Sequence, residues 1–286
     1  MNKSISIVTA FFDIGKGDWN KQHGKENRLE RSTDIYFEYF SLLAKLDNEM
    51  VVFTSHEHEK KVLELREGRP TQVIILDFNH KFKHTLKKIA AIQNSDSYKA
   101  RIRPEEAVNP ECWSLEYVLV NNLKYYFLNR AISSGFCSND LVAWVDFGYC
   151  RKNKTTYGIT HWYHPFDKEK IHFFTVRNDF KVEPLDVAVS RALRNEVFIG
   201  GSSIVAEKSK WNVFYKITSE IQLRFMKQGI VDDDQGTLLI ATTENRELFE
   251  LHSGKKRKWF YMFRLFNKGS TVSYLTRLKL LLGIVK

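Results

Sequence analysis

The feature that most restricts the fold of this chain is an alternation between short apolar runs and amphipathic segments near its N-terminus. The runs are rich in β-branched and aromatic residues, as buried strands are, and the segments between them place apolar residues at helical spacing. Strands are predicted at residues 5–12, 50–54 and 72–78, and helices after Ser32 and at 56–66 and 81–92. This β-α-β-α-β-α order predicts a parallel sheet with helical crossovers.

The rest of the chain continues the pattern with longer connections. Residues 93–110 are polar and predict a long loop over an active-site face, and residues 152–167 predict an inserted loop region. Further strands are predicted at 141–145, 171–176, 196–199 and 248–252, and further helices at 111–132, 185–194, 208–227 and 234–242. We therefore predict an α/β fold with a Rossmann-like, mostly parallel central sheet flanked by helices.

Positive charge is concentrated at the C-terminal end. The 286 residues include 44 basic and 34 acidic side chains, and residues 251–286 contain nine of the basic ones and no Asp or Glu. The rest of the chain is nearly neutral, so a uniformly basic nucleic-acid-binding protein is a poor description, and no nucleic-acid partner is expected.

The same C-terminal segment carries an apolar stripe at helical spacing. Its members are Tyr274, Leu275, Leu278, Leu281, Leu282 and Val285. The pattern predicts a basic amphipathic helix that lies on an anionic membrane surface or, alternatively, packs on the body or in a dimer. The oligomeric state stays open.

Cysteine content and hydropathy restrict the location of the chain. Cys112, Cys137 and Cys150 are too few and too scattered for a disulfide framework, and their odd number fits a reducing compartment. No stretch reaches the roughly 18 apolar residues that a membrane-spanning helix needs. We expect a cytoplasmic protein, with a peripheral position on the cytoplasmic face of the inner membrane if the C-terminal helix binds lipid.

Ligands of parallel α/β sheets bind beyond the carboxyl ends of the strands, so residues that follow strands are the first candidates for a site. Asp146 follows the predicted strand 141–145 and precedes Gly148. Its carboxylate could bind Mg²⁺ or Mn²⁺, or it could cap the turn before Gly148. Thr9 and Asp13 lie at the end of the first strand, where they could contact a nucleotide or be ordinary loop residues.

Four further candidates have equally simple alternatives. The acidic run 232–234 could cap the following helix, or Asp234 with Gln235 could orient an acceptor hydroxyl or act as a general base. His252 could bind a metal ahead of lysines that neutralise a diphosphate, or it could belong to a solvated basic loop. Gly200 and Gly201 could allow a ligand to approach closely, or they could form a tight turn. Lys124 could reach a phosphate or a sugar, although helical lysines are usually exposed.

The sequence resembles the HtrL/YibB family of bacterial envelope-associated proteins over nearly its whole length. The closest segments are 7–15, 50–54 and 144–149. That family in turn is similar to glycosyltransferases of the GT-A fold, so the resemblance implies a GT-A-like sheet. It also implies a catalytic domain at residues 1–252, with residues 253–286 as a basic extension.

The resemblance also implies roles for individual residues. Asp146 and His252 would bind Mn²⁺ or Mg²⁺, and Asp234 and Gln235 would be the catalytic pair. The donor would contact Thr9, Ala10, Phe11, Asp13, Lys124, Trp144, Val145, Gly200, Gly201, Gly254 and Lys258. Two departures are visible: the usual Asp-X-Asp motif is reduced to Asp146-Phe147-Gly148, and the glycine that follows His252 is one residue closer than in the family pattern.

The function expected from this resemblance is transfer of a hexose from a nucleotide-diphosphate sugar to a hydroxyl group. UDP-hexose is the donor expected first. The acceptor would be a precursor of a bacterial surface glycan, namely of lipopolysaccharide, O-antigen or capsule. It would be either a free glycan or a lipid-linked one. The alternative is a non-catalytic nucleotide-sugar or glycan-binding protein that kept the fold.

Overall fold

The computed structural model describes residues 4–177, 179, 181, 183–254, 259–265, 275, 278, 279, 282 and 284. These residues form an α/β fold around one seven-stranded sheet of strand order β3-β2-β1-β4-β6-β5-β7. The strands are β1 (Ile5–Phe11), β2 (Met50–Thr54), β3 (Thr71–Ile75), β4 (Leu141–Val145), β5 (Ile171–Thr175), β6 (Ile199–Glu207) and β7 (Phe249–Ser253).

The sheet is mostly parallel, as predicted. Strands β1 to β4 are parallel to one another, β6 is antiparallel to both β4 and β5, and β7 is parallel to β5. Six strands therefore end at the same edge. The chain moves from β1 through β2 to β3 on one side and then returns to β4 on the other side of β1. This reversal of strand order is the position at which open α/β sheets bind ligands.

Helices cover both faces of the sheet. They are α1 (Thr33–Leu43), α2 (Glu59–Arg66), α3 (Phe78–Lys81), α4 (Lys83–Asn94), α5 (Asp96–Lys99), α6 (Leu115–Asn122), α7 (Lys124–Ser133), α8 (Leu185–Leu193), α9 (Lys208–Lys227) and α10 (Asp234–Glu244). A first core contains side chains of α4, α6, α7, α9 and α10, whereas a second core on the other face contains side chains of α1, α2 and residues 261–263. Burial of these two apolar faces drives the assembly of the layers.

Several predicted elements differ in their bounds. The predicted helix 111–132 is divided into a 3₁₀ turn at Pro110–Cys112, α6 and α7. The third strand ends at Ile75 because Asp77 caps α3, its carboxylate accepting a hydrogen bond of 2.9 Å from the backbone N–H of His80.

The bounds predicted for the strand at 196–199 are wrong. The strand instead begins at Ile199 and continues through Gly200 and Gly201 to Glu207. It lies between β4 and β5, and its pairing with β5 shifts register between Phe173 and Phe174. Small residues fit in this buried strand, and glycine commonly marks such irregular pairing.

The C-terminal extension packs partly on the body. Met262 and Phe263 are buried in the second core, the backbone N–H of Met262 donates to the Tyr149 hydroxyl (2.9 Å), and the Trp162 indole donates to the carbonyl oxygen of Leu265 (2.7 Å). Residues 255–258 and most of 266–286, including Tyr274, Leu281 and Val285 of the predicted amphipathic helix, lie outside the described residues. Within the described part of the chain, no helix has the length and hydropathy needed to cross a membrane.

Buried Glu111 gives the stability of the fold a predictable pH dependence. Burial raises the pKa of Glu111 from 4.5 to about 7. A carboxyl group whose pKa is higher in the folded state stabilises the fold at low pH, and this contribution is lost as the pH rises from 4.5 through 7. We expect Glu111→Gln to leave the free energy of unfolding nearly unchanged at pH 5 and to raise it by about 1–3 kcal/mol at pH 8.

Urea unfolding at the two pH values measures this difference. Glu220→Gln is the control, because Glu220 is exposed on α9. If the effect of Glu111→Gln were the same at pH 5 and pH 8, Glu111 would not be the titrating group.

Candidate active site

A cavity of about 500 Å³ opens at the carboxyl ends of β1 and β4, where the strand order reverses. Residues 10–14, at the end of β1 and just beyond it, and residues 146–148, which follow β4, line it on the sheet side. Helices α6, α7 and α10 contribute Tyr117, Lys124, Asp234 and Gln235. The volume is in the range of small-molecule sites.

The ammonium group of Lys124 lies at the centre of the buried wall. Its Nζ is 2.8 Å from Asp234 Oδ2, 3.1 Å from Asp146 Oδ1 and 3.0 Å from the carbonyl oxygen of Gly201. An ammonium has three N–H donors, and each has a partner here. Burial lowers the pKa of Lys124, but the carboxylates of Asp146 and Asp234 outweigh burial and raise it, so the side chain is charged at neutral pH.

Asp146 is held by contacts other than a turn cap. Its Oδ1 also accepts a hydrogen bond of 2.7 Å from the Trp144 indole, and its backbone N–H donates to the carbonyl oxygen of Ser202. The carboxylate therefore belongs to the cavity. A Cβ atom at Gly148 would lie 3.1 Å from ring carbons of Tyr36, so a larger side chain there would require the Tyr36 ring to move.

The acidic run 232–234 contributes one residue to a helix cap and another to the cavity wall. Asp233 is the N-cap of α10, and its carboxylate accepts from the backbone N–H of Gln235 (2.8 Å). Asp234 instead turns to Lys124, and burial raises its pKa while the Lys124 ammonium opposes the rise. Oε1 of Gln235 is buried and has no hydrogen-bond partner among the described residues. Gln235 thus has an unused acceptor atom beside the cavity.

The mouth of the cavity is cationic, and the sequence did not single out the residues responsible. Lys16, Arg28, Arg31 and Arg151 line it together with Lys124, against three carboxylates. The Arg151 guanidinium lies over the Phe260 ring, 4.5 Å from its centroid. Lys16 and Arg28 lie in short 3₁₀ turns and Arg31 and Arg151 lie in loops, where no periodicity marks them.

The structure separates the predicted site residues into two groups. The cavity is lined by Ala10, Phe11, Asp13, Lys124, Trp144, Asp146, Gly201, Asp234 and Gln235. Thr9 and Val145 are instead fully buried within their strands, and Gly200, Gly254 and His252 do not line the cavity. Lys258 lies outside the described residues.

Asp146 and His252, the two predicted metal ligands, have different neighbours. Oδ1 of Asp146 is bonded to Lys124 and Trp144, whereas the His252 ring packs on Phe166 and Phe174 of the second core. Mn²⁺ or Mg²⁺ at Asp146 and His252 stays a prediction.

Fold and site together define the class as an α/β protein with a cationic ligand cavity at its topological switch point. The chain belongs to the HtrL_YibB family, which matches residues 3–268 and is described as a bacterial protein of unknown function. The resemblance seen in the sequence is thus confirmed. Protein HtrL of Escherichia coli (strain K12) is 42% identical over 283 residues, which are 99% of each chain.

Two solved structures are similar at a greater distance. Mouse xyloside xylosyltransferase 1 in its apo form has a TM-score of 0.40 and 8% identity, with 87% of this chain and 85% of that chain covered. The PaToxG glycosyltransferase has a TM-score of 0.30 and 11% identity, with 97% and 84% covered. Similarity at this level is too distant to carry a statement about activity.

Proposed function

We propose that the chain is a glycosyltransferase that binds a nucleotide-diphosphate sugar in the cavity and transfers the sugar to a hydroxyl group. The observation that carries the proposal is the pair of carboxylates, Asp146 and Asp234, held on one buried ammonium at the base of a cationic cavity. Buried charged groups in a cleft are typical of functional sites rather than of stable cores.

The charge of the mouth suits a diphosphate. Arg28, Arg31 and Arg151 can donate paired N–H groups to phosphate oxygens, which a guanidinium does better than an ammonium. Tyr36, Tyr117 and Phe260 add aromatic surface for a base or a sugar ring. The acceptor Oε1 of Gln235 would accept a hydrogen bond from a sugar hydroxyl.

The transfer itself breaks the bond between the anomeric carbon and the diphosphate oxygen, and the bonding electron pair leaves with the diphosphate. A new bond forms from the acceptor oxygen to the anomeric carbon. We assign Asp234 as the group that takes the acceptor proton, since burial raises its pKa toward the range useful for a general base. Lys124 holds Asp234 and Asp146 in place, and the guanidinium groups stabilise the negative charge that develops on the diphosphate.

A bound Mn²⁺ or Mg²⁺ would supply further neutralisation of the leaving diphosphate, with Asp146 as its protein ligand. Turnover that EDTA abolishes and Mn²⁺ restores would confirm this prediction, whereas turnover unchanged by EDTA would contradict it. The proposed UDP-hexose donor and surface-glycan acceptor rest on the family resemblance, whereas the proposed peripheral membrane position rests on the basic amphipathic pattern at residues 274–285. Replacement of the second motif carboxylate by Gly148 favours a second candidate, a binding protein without turnover.

The binding step can be tested by calorimetric titration of the full chain with UDP. We expect Arg31→Gln and Arg151→Gln each to weaken binding about tenfold, which corresponds to about 1.4 kcal/mol, and the loss to shrink at high salt. Arg130→Gln is the matched control, because Arg130 is exposed on α7 and does not line the cavity. Equal affinities for all three variants would remove the phosphate role from these two arginines.

A further inference from the structure

We propose a second site in this protein, a zinc site formed by His172 of β5 with Glu250 and His252 of β7. One ligand atom of each side chain lies within 4.8 Å of the others. The site is independent of the proposed transferase activity, since none of the three residues lines the cavity.

Strand register brings the three side chains together. In the parallel pair of β5 and β7, His172 lies opposite Glu250 and Phe174 lies opposite His252. Alternate residues of a strand point to the same face, so Glu250 and His252 project beside His172. The measured separations are 2.9 Å from His172 Nδ1 to His252 Nε2 and 3.4 Å from His172 Nδ1 to Glu250 Oε2.

The orientation of His172 is fixed in the manner of a metal ligand. Its Nε2 is 2.8 Å from the carbonyl oxygen of Asp167, which can only accept a hydrogen bond. Nε2 therefore carries the proton, and in the neutral ring Nδ1 accepts the hydrogen bond from His252 Nε2, a contact that a bound ion would replace. Metal-bound histidines usually hold their second nitrogen in this way.

The environment places two imidazoles beside one accessible carboxylate. His172 is almost fully buried, whereas the Glu250 side chain is 46% exposed and gives an ion a route from solvent. Two imidazoles with one carboxylate form a donor set that suits Zn²⁺ better than Mg²⁺ or Mn²⁺.

An ion here would stabilise the edge of the sheet. It would join β7 to β5 next to Tyr261, whose hydroxyl contacts the carbonyl oxygens of His252 (2.6 Å) and Thr175 (2.7 Å). Tyr261 in turn belongs to the segment 259–265 that packs on the body. Zinc binding to the folded state alone is therefore expected to raise the thermal unfolding midpoint.

Titration of the metal-stripped full chain with Zn²⁺, followed by calorimetry and thermal unfolding, tests the site. We expect one Zn²⁺ per chain and a higher unfolding midpoint, with at least 100-fold weaker binding for His252→Asn and for Glu250→Gln. His80→Asn, at an exposed histidine of α3, should bind as the wild type does.

Glu250→Gln covers the case in which His252→Asn fails to fold, because Glu250 is half-exposed. The absence of stoichiometric zinc binding to the wild type would overturn the proposal. Equal zinc affinity of the Glu250→Gln and His80→Asn variants would also overturn it. Nucleotide-sugar turnover by the Glu250→Gln variant in the presence of Mn²⁺ separates this outcome from failure of the proposed function, since Glu250 does not line the cavity.

Discussion

Lys124→Met is expected to lower the free energy of unfolding by about 3–5 kcal/mol and to abolish nucleotide-sugar turnover. Methionine has a similar length but no charge, so Asp146 and Asp234 would be left facing each other without the ammonium that lies between them. Removal of one partner from a buried ion pair leaves an uncompensated charge in a medium that solvates it poorly. Two carboxylates that lose their shared cation also repel each other.

Urea unfolding at pH 7 measures the effect. Lys88→Met, at an exposed lysine of α4, is the control and should change stability by less than about 0.5 kcal/mol. The double variant Lys124→Met/Asp234→Asn should recover part of the lost stability, because it removes one of the two stranded charges. A Lys124→Met protein as stable as the Lys88→Met control would show that the buried triad does not exist.

Gly201→Ala is expected to destabilise the protein by about 3 kcal/mol and to reduce turnover together with it. A Cβ atom at this position would lie 1.5 Å from Oδ2 of Asp234, the atom that accepts the hydrogen bond from Lys124. One methyl group would therefore push Asp234 away from the ammonium. The cost combines overpacking with a broken buried ion pair.

Gly200→Ala provides a control one residue away in the same strand. Its Cβ would meet the carbonyl oxygen of Phe174 at 3.3 Å, a tight contact that small shifts relieve. We expect a loss of no more than about 1 kcal/mol for this variant. Equal stability of the two alanine variants, measured by urea unfolding, would speak against the position of Asp234.

The sheet and part of the site could be predicted because they depend on local patterns. The strands β1, β2 and β4 are mostly apolar on both alternating sets of residues, as strands covered on both faces are, and their order predicts parallel pairing. Parallel strands end at one edge, so Asp13 and Asp146 could be expected near each other without any contact being known.

The remaining features depend on contacts between distant parts of the chain. Lys124 looks like an ordinary helical lysine until β4 and α10 place a carboxylate on each side of it. Strand β6 was missed beyond Ile199 because glycine and serine weaken the strand pattern, although its neighbours on both sides stabilise it. The contact between His172 and His252 likewise has no local sequence pattern that would predict it.

The central claim is that the cavity is the active site of a glycosyltransferase. The most direct test incubates the purified full chain and Mn²⁺ with a panel of nucleotide sugars and measures the release of nucleoside diphosphate. We predict release from at least one UDP-hexose, with kcat at least about 100-fold lower for the isosteric variant Asp234→Asn. The absence of release from every nucleotide sugar tested, or equal release by wild type and Asp234→Asn, would contradict the account.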